Sequence, residues 1–204
     1  MALFRLPAVA DSAPALRGEG LYLRPARSAD FAAWAQLRQE SREFLTPWEP
    51  TWPDDDLTRA AFRRRLRRQN DEMARDEAYA FLIFDEASDR LTGGITIGGI
   101  RRGVAQAATL GYWMGARYAG KGTMTRAVAL VVSFGFSTLR LNRVEAACIP
   151  ENIASAALLL RNGFVQEGFA RSYLRINGVW RDHLLFAIVE GDAPRAGGRS
   201  LSRG

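Results

Sequence analysis

A glycine-rich stretch in the middle of the sequence carries the residues best suited to hold a ligand. Residues 110–126 have the sequence LGYWMGARYAGKGTMTR, in which an apolar alternation is followed by three glycines and then by a helical period. A turn of this kind opens a helix N-terminus, where unpaired N–H groups and the positive end of the helix dipole favour a phosphate. Glycine suits the turn because a Cβ would hold the phosphate oxygens away from the backbone. The stretch therefore predicts a phosphate-binding loop.

Two motifs overlap in this loop, and they predict different ligands. Gly115, Gly120 and Lys121 match most of a Walker A nucleotide loop, but Gly122 stands where a Ser or Thr hydroxyl should bind Mg²⁺. The missing metal ligand argues against nucleotide hydrolysis. The other spacing, Arg117-x-x-Gly120-x-Gly122, resembles the acyl-CoA pyrophosphate loop of the GNAT N-acetyltransferases.

A second motif, about 30 residues downstream, makes the resemblance more specific. Residues 152–164 follow the pattern N-x-x-S-x-x-L-x-x-R-x-G-F, which resembles a signature of the same family. Three further segments look like the ribosomal-protein-alanine N-acetyltransferases of the RimJ/RimL branch: Pro47-Trp48-Glu49-Pro50, Glu167-Gly168 and the stretch from Tyr173 to His183. The resemblance covers residues 20–190.

The resemblance implies transfer of an acetyl group from acetyl-CoA to an amine by direct attack, without a covalent enzyme intermediate. It implies that the strand of Trp113 and Met114 parts from the strand of residues 145–148. Exposed backbone N–H groups there would bind the thioester oxygen, as an oxyanion hole does. The other residues implied as cofactor contacts are Arg117, Gly120, Lys121, Gly122, Thr123, Met124, Asn152 and Arg161.

The proton-transfer groups follow the family pattern only in part. Many members carry a Tyr that protonates the leaving thiolate where this chain has Leu159. Ser155 is the candidate acid in its place, relayed by Asn152, and the alternative is that both residues only begin a helix. Glu145, on a strand between apolar neighbours, is the candidate general base, acting directly or through water. Its alternative is an ordinary ion-paired carboxylate.

Two aromatic segments are candidates for the acceptor site. Trp48 and Trp52 stand in residues 44–53, where three prolines predict irregular structure, and they either anchor packing or line a pocket. Tyr173 and His183 in the last hairpin would form the opposite wall, although a histidine on a strand is also a common structural residue. Such a slot suits an N-terminal α-amine. Its pKa of about 7.7–8.0 leaves far more free base near pH 7 than the value of about 10.4 for lysine.

Three functions stay open from the sequence. The chain acetylates the N-terminus of a ribosomal or other protein, or it acetylates a small amine, amino acid or drug, or it is a non-enzymatic acetyl-CoA-binding or ribosome-associated factor. The missing Tyr and the arginine-rich residues 63–68 support the third, because that run is either a nucleic-acid patch or a solvated helix face. The net charge of +6 is compatible with an anionic cofactor or RNA without selecting either.

Composition limits the remaining classes. A chain of 204 residues with 48% hydrophobic content predicts one domain with a substantial core. No apolar run reaches the roughly 18–20 residues that cross a membrane. Cys148 and His183 are the single cysteine and histidine, which excludes an internal disulfide and a His/Cys metal cluster. We expect a cytoplasmic, metal-free protein that is a monomer or a homodimer.

Strands and helices mix along the chain. The expected strands are 21–25, 80–84, 91–100, 107–114, 142–148, 171–176 and 179–189, and the expected helices are 28–43, 57–76, one from Thr123, and 152–161. This order predicts an α/β (α+β) fold, a single GNAT-like domain with a central mixed, mostly antiparallel twisted sheet flanked by helices on both faces. We expect residues 1–19 to be a flexible arm, 20–190 the domain and 191–204 a disordered basic tail.

Overall fold

The computed structural model describes residues 15–192, which form one eight-stranded sheet with helices on both faces. The strands are β1 (Leu16–Gly18), β2 (Leu21–Arg24), β3 (Ala78–Asp85), β4 (Leu91–Arg101), β5 (Ala107–Met114), β6 (Arg143–Cys148), β7 (Val165–Ile176) and β8 (Val179–Val189). Their order across the sheet is β1-β2-β3-β4-β5-β6-β8-β7, and only β5 and β6 are parallel neighbours. The expected mixed, mostly antiparallel sheet is confirmed.

Five α-helices and three short 3₁₀ helices accompany the strands in the described chain. The α-helices are α1 (Phe31–Glu40), α2 (Arg42–Leu45), α3 (Arg59–Ala74), α4 (Thr123–Ser137) and α5 (Ile153–Arg161). The starts of two follow from side-chain caps, because Thr58 accepts a hydrogen bond from the Ala61 N–H and Asn152 accepts one from the Ser155 N–H. No helix of the described residues is long and apolar enough to cross a membrane.

Two cores lie on opposite faces of the sheet. The larger packs α4 and Leu159 of α5 against the inner strands, and the smaller packs α1 and α3 against β3 and the start of β4. Val144, Ala146 and Cys148 of β6 belong to the larger core, while Glu145 points to the other face. The alternation therefore places Glu145 as the sequence predicts.

Three local expectations differ from the structure. Leu16–Gly18 is a strand paired with β2, so the arm expected over residues 1–19 does not extend that far; residues 1–14 and 193–204 lie outside the described chain. Residues 44–53 are partly helical, because Pro47 stands near the start of the 3₁₀ helix Thr46–Trp48, where a missing N–H removes no bond. β7 begins at Val165 rather than 171, since two irregularities in its pairing with β8 obscure the strand pattern.

Candidate active site

The parallel strands β5 and β6 diverge after a short paired region. They pair only at Ala107–Arg143, Ala108–Val144 and Thr109–Glu145. Beyond these pairs β5 stays on β4 as far as Met114, and β6 stays on β8 as far as Cys148. The edge of β5 that faces β6 therefore carries backbone groups without a strand partner. This opening, the β5–β6 gap, is the parting that the resemblance implies.

The glycine loop follows β5 and ends at the start of α4. Gly120 and Gly122 have φ angles of 74° and 73°, the left-handed region that favours glycine. Gly122 is the N-cap of α4, and no side chain caps it. The N–H groups of the first helical turn lack intrahelical partners and face a loop exposed at Lys121 and Gly122. Loop and helix start together fit a pyrophosphate group.

The C-terminal end of α1 holds the start of this loop. The Ser41 hydroxyl accepts a hydrogen bond of 3.0 Å from the Ala116 N–H, and Glu40 forms a 3.0 Å ion pair with Arg117. A Cβ at Gly115 would collide with Leu37, so α1 packs directly on the backbone there. Arg117 is an exposed cation beside the loop, as a phosphate contact requires, although its partner in this structure is Glu40.

Three of the expected cofactor contacts do not present their side chains to the β5–β6 gap. The Trp113 ring lies on the α1 face of the sheet, 5.0 Å from the Arg38 guanidinium, and Met114 is buried in the larger core. Only their backbones border the gap. Arg161 is exposed at the end of α5, roughly 13 Å along that helix from Asn152, where a basic side chain complements the helix dipole. Its role in cofactor binding stays a prediction.

Two hydroxyl groups meet across the β5–β6 gap. The Tyr112 hydroxyl lies 2.7 Å from Ser155 Oγ, and Ser155 is held in the first turn of α5 by the Asn152 cap. Burial raises the pKa of Tyr112 to about 12, although its hydrogen bond with Ser155 opposes the change. Burial also raises the pKa of the adjacent Cys148 thiol. Both Tyr112 and Cys148 are therefore protonated at neutral pH, and the Tyr112–Ser155 pair offers a donor to the gap.

Tyr112 is a candidate site residue that the sequence analysis missed. Leu159, which replaces the usual Tyr, is 1% exposed and belongs to the core, so it offers no group to the gap. The alternation of β5 places Leu110, Tyr112 and Met114 on one face, toward α4 and α5. That alternation is visible in the sequence, but the contact with Ser155 depends on where α5 packs.

Glu145 lies at the last β5–β6 pair, and both of its carboxylate oxygens are engaged. Arg101 donates to one oxygen at 2.5 Å, and Arg143 donates to the other at 2.9 Å. Partial burial opposes ionisation, but the hydrogen bonds from Arg101 and Arg143 outweigh it and lower the pKa of Glu145. A lowered pKa makes the carboxylate a poorer proton acceptor. The structure therefore favours the ion-paired alternative over the general base.

The two expected acceptor walls come together in a groove. A cavity of about 260 Å³, the acceptor groove, is lined by Pro47, Trp48, Glu151, Ile176, Asn177, Val179 and Arg181. The Asn177 N–H donates to the Glu49 carbonyl at 2.9 Å and thereby connects the β7–β8 hairpin with residues 44–53. Asn177 and Gly178 have φ angles of 44° and 81°, in agreement with the expected hairpin turn. Of the four residues expected to contact the substrate, Trp48 lies in this lining.

Trp52 does not line the acceptor groove and instead contacts Glu49 and Arg38. Its Nε1 donates to Glu49 at 2.7 Å, and the Arg38 guanidinium lies 4.0 Å from its ring. Arg38 also donates two hydrogen bonds of 2.7 Å to Glu49. This partly buried cluster supports the packing interpretation for Trp52.

His183 and Tyr173 form a structural pair. His183 is 2% exposed, and its Nδ1 lies 2.9 Å from the carbonyl oxygen of Arg181. The half-exposed Tyr173 ring meets the imidazole edge-on at 5.7 Å. Neither residue belongs to the groove lining, and burial makes the expected substrate contact of His183 unavailable, which favours its structural alternative.

The arginine-rich part of α3 is largely paired. Arg64, Arg65 and Arg68 form ion pairs with Asp55, Asp56 and Glu72. These pairs favour a solvated, ion-paired helix face over a nucleic-acid patch. Within residues 15–192, no three His, Cys, Asp or Glu side chains are grouped as a metal site requires.

The family follows from a comparison with known proteins. Residues 20–165 match the acetyltransferase (GNAT) domain model. The chain belongs to the GNAT acetyltransferase family. It is 38% identical over 177 residues to the Bacillus subtilis protein named "Probable N-acetyltransferase YjcK", covering 87% of this chain and 98% of that one. It is 34% identical over 165 residues to the Escherichia coli ribosomal protein uS5-alanine N-acetyltransferase, covering 80% and 85%.

A solved structure agrees with this assignment. Mycobacterium smegmatis RimJ in complex with CoA-disulfide has a TM-score of 0.84 and 32% identity, covering 92% of this chain and 91% of that one. The protein is therefore an acetyl-CoA-dependent N-acetyltransferase. The left-handed glycines, the uncapped start of α4 and the β5–β6 gap all fit acetyl-CoA as the co-substrate.

Proposed function

We propose that this GNAT enzyme acetylates the N-terminal α-amine of a protein, with a ribosomal protein as the acceptor class. The observation that carries the proposal is the acceptor groove, which is open, joins three separate segments of the fold and lies next to the start of α5. Its volume is about 260 Å³, and a second cavity of about 260 Å³ adjoins it at Glu151 and Arg181. An open groove that continues into a second cavity suits the first residues of an extended chain.

The names of the relatives support the same acceptor class. The E. coli relative acts on an alanine of ribosomal protein uS5 by its name, and a second E. coli relative is named ribosomal-protein-serine acetyltransferase. We infer that small first residues such as Ala or Ser suit this chain as well. Association with the ribosome stays part of the proposal.

The co-substrate supplies an acetyl group activated as a thioester, and the chain supplies the contacts around it. The N–H groups of Lys121, Gly122, Thr123 and Met124 would hold the pyrophosphate, with Arg117 beside them. Unpaired N–H groups on the gap-facing edge of β5 would orient the thioester carbonyl and stabilise negative charge on its oxygen. These contacts use the backbone and depend on its conformation.

The Tyr112–Ser155 pair would stabilise the departing sulfur by donating a hydrogen bond. An ordinary thiol has a pKa of about 8.5, and the pKa of Tyr112 is about 12. Moving a proton from Tyr112 to the thiolate is therefore unfavourable by about 3.5 pKa units, or roughly 5 kcal/mol. Complete transfer from Tyr112 is therefore unfavourable, and donation through Ser155 is the lower-energy role. The amine loses one proton and the sulfur gains one, so the reaction needs no net proton source.

No strong base is needed for an α-amine. With a pKa of about 7.7–8.0, roughly a tenth of such amines are already free base near pH 7. Lysine, at about 10.4, is two to three orders of magnitude less available. The arginine pairs of Glu145 make it a weak base, which agrees with an acceptor that loses its proton to water.

The test compares two peptides in a thiol-release assay. One has a free N-terminal Ala or Ser and no lysine, and the other is N-blocked with an internal Lys. We expect acetylation of the first only. A comparable rate on the blocked peptide would overturn the α-amine assignment, and a preference for free amino acids or polyamines would assign the enzyme to small amines instead.

A further inference from the structure

The acceptor groove contains a charged pair that the steps above do not use. Arg181 Nη2 donates a hydrogen bond of 2.9 Å to Glu151 Oε1. Both residues line the acceptor groove, and both also line an adjoining cavity of about 260 Å³ with Pro150, Trp180 and Asp182. The pair therefore lies where two cavities adjoin, in reach of a ligand that extends from one into the other.

Rigid elements hold the two residues in place. Glu151 stands between Pro150, after the end of β6, and Asn152, the cap of α5. Arg181 is on β8, and its carbonyl oxygen lies 2.9 Å from the buried imidazole of His183. Glu151 is thus only four residues from Ser155, which reaches the β5–β6 gap. Glu151 therefore connects the end of β6, which borders the gap, with the helix that carries Ser155.

Stability does not explain the pair. The side chains of Arg181 and Glu151 are 42% and 64% exposed. Ion pairs as exposed as this one contribute little to folding stability. Their exposure also leaves them accessible to a ligand, since the hydrogen bond uses one carboxylate oxygen and one of five guanidinium N–H donors.

We propose that Glu151 and Arg181 together recognise the first residue of the acceptor, an inference that rests on the function proposed above. Glu151 binds the α-ammonium group, and Arg181 donates to the first carbonyl oxygen. A protein N-terminus presents this cation and this acceptor three bonds apart, which complements a carboxylate and a guanidinium held 2.9 Å apart. A lysine side chain or a polyamine lacks the adjacent carbonyl.

The assignment predicts a dependence on pH. Glu151 attracts the ammonium form, so its contribution to binding is largest below the α-amine pKa of about 7.7–8.0. Above that pH the amine is neutral and the attraction falls. The binding defect of Glu151→Gln should therefore be large at pH 6.5 and smaller at pH 9, a change that a purely structural role would not produce.

The experiment measures kcat and KM for an Ala-initiated peptide and for isopropylamine, which has the Ala amine without the carbonyl. The variants are Glu151→Gln, Arg181→Gln and Arg181→Lys. Glu86→Gln is the matched control, because Glu86 forms a comparable exposed ion pair with Arg17 next to β2, far along the sheet order. An acetyl-CoA thermal shift equal to wild type shows that each variant is folded and binds the co-substrate.

We expect Glu151→Gln and Arg181→Gln to raise the peptide KM about tenfold or more at pH 6.5, as for lost hydrogen bonds to charged groups. Arg181→Lys should recover part of the loss, and Arg181→Gln should raise the KM for isopropylamine much less than the KM for the peptide, because isopropylamine has no carbonyl oxygen for Arg181 to contact. If the wild type acetylates the peptide but all variants keep its KM, this inference is wrong and the proposed function stands. If the wild type prefers isopropylamine to the peptide, both are wrong.

Discussion

The glycine loop and the acceptor groove are built in different ways. The loop is one continuous segment, residues 115–124, and its proposed ligand contacts are backbone N–H groups shaped by left-handed glycines. The groove takes side chains from three distant segments, around residues 47–48, 151 and 176–181. Backbone contacts tolerate almost no change of residue at the glycines, whereas side-chain contacts change with each substitution. Cofactor choice is therefore constrained, and acceptor choice is open to variation.

The two regions share one support, the C-terminal end of α1. Ser41 holds the start of the loop through the Ala116 N–H. Arg38, one turn earlier, holds Glu49, whose carbonyl accepts the hairpin N–H of Asn177. The Arg38 guanidinium also contacts the rings of both Trp52 and Trp113, and it thereby connects residues 44–53 with β5. The geometry between cofactor and acceptor thus depends on packing behind the site.

The largest expected effect is the loss of acetyl-CoA binding at the glycine loop. Gly122→Val places a β-branched residue at a φ of 73°, which costs about 1–3 kcal/mol. The strain should displace the backbone N–H groups that would hold the pyrophosphate. The fold should survive, but acetyl-CoA binding should be lost. Wild type at about 100 times the dissociation constant should gain roughly 2.7 kcal/mol, seen as a thermal shift that the variant lacks.

Gly191→Ala is the control for that substitution, since Gly191 has no left-handed φ and a Cβ there meets nothing within 4 Å. It should keep the full shift. A retained shift in Gly122→Val, or a wild-type shift with ATP and Mg²⁺ in place of acetyl-CoA, would contradict the pyrophosphate assignment of the loop.

The next effect tests the hydroxyl pair between the two regions. Ser155→Ala and Tyr112→Phe should each lower kcat about ten- to a hundredfold and change the acetyl-CoA KM much less, because the donor matters as sulfur departs. The double variant should lose little more than either single one, since the hydroxyls act as one unit at 2.7 Å.

Ser137→Ala is the matched control, because its hydroxyl only bonds the Ser133 carbonyl at the end of α4. Additive losses in the double variant would show that the two hydroxyls act separately. Wild-type kcat in both single variants would leave backbone positioning as the source of the rate.

The same contrast explains what the sequence predicted. β5, the start of α4 and the Asn152 cap follow from periodicity, glycine and capping residues, and all three agree with the structure. Glu151 and Arg181 meet across 30 residues of chain and follow no local pattern. The alternation of β5 predicts the face of the sheet on which Tyr112 lies, but it does not predict the contact with Ser155. β1 was missed because three residues beside a proline-containing segment carry too short a pattern, and only pairing with β2 makes them a strand.

The smallest expected effect concerns Glu145. Glu145→Gln should change the rate less than about twofold at both pH 7 and pH 9, because two arginines already occupy the carboxylate. It should lower the free energy of unfolding by up to about 1 kcal/mol at pH 7. A lowered folded-state pKa stabilises the protein above the unfolded value of about 4.3, and this contribution is lost as the pH falls through the folded value.

Urea unfolding at pH 7 and at several pH values below about 4.3 checks this prediction. The stabilities of wild type and Glu145→Gln should approach each other toward the acidic end of that range. Glu167→Gln is the matched control, since Glu167 also pairs with Arg143, and that hydrogen bond lowers the pKa of Glu167 despite slight desolvation. A rate that falls strongly at pH 7 and recovers at pH 9 in Glu145→Gln alone would restore the general base, and with it a catalytic side chain on the strand that borders the gap.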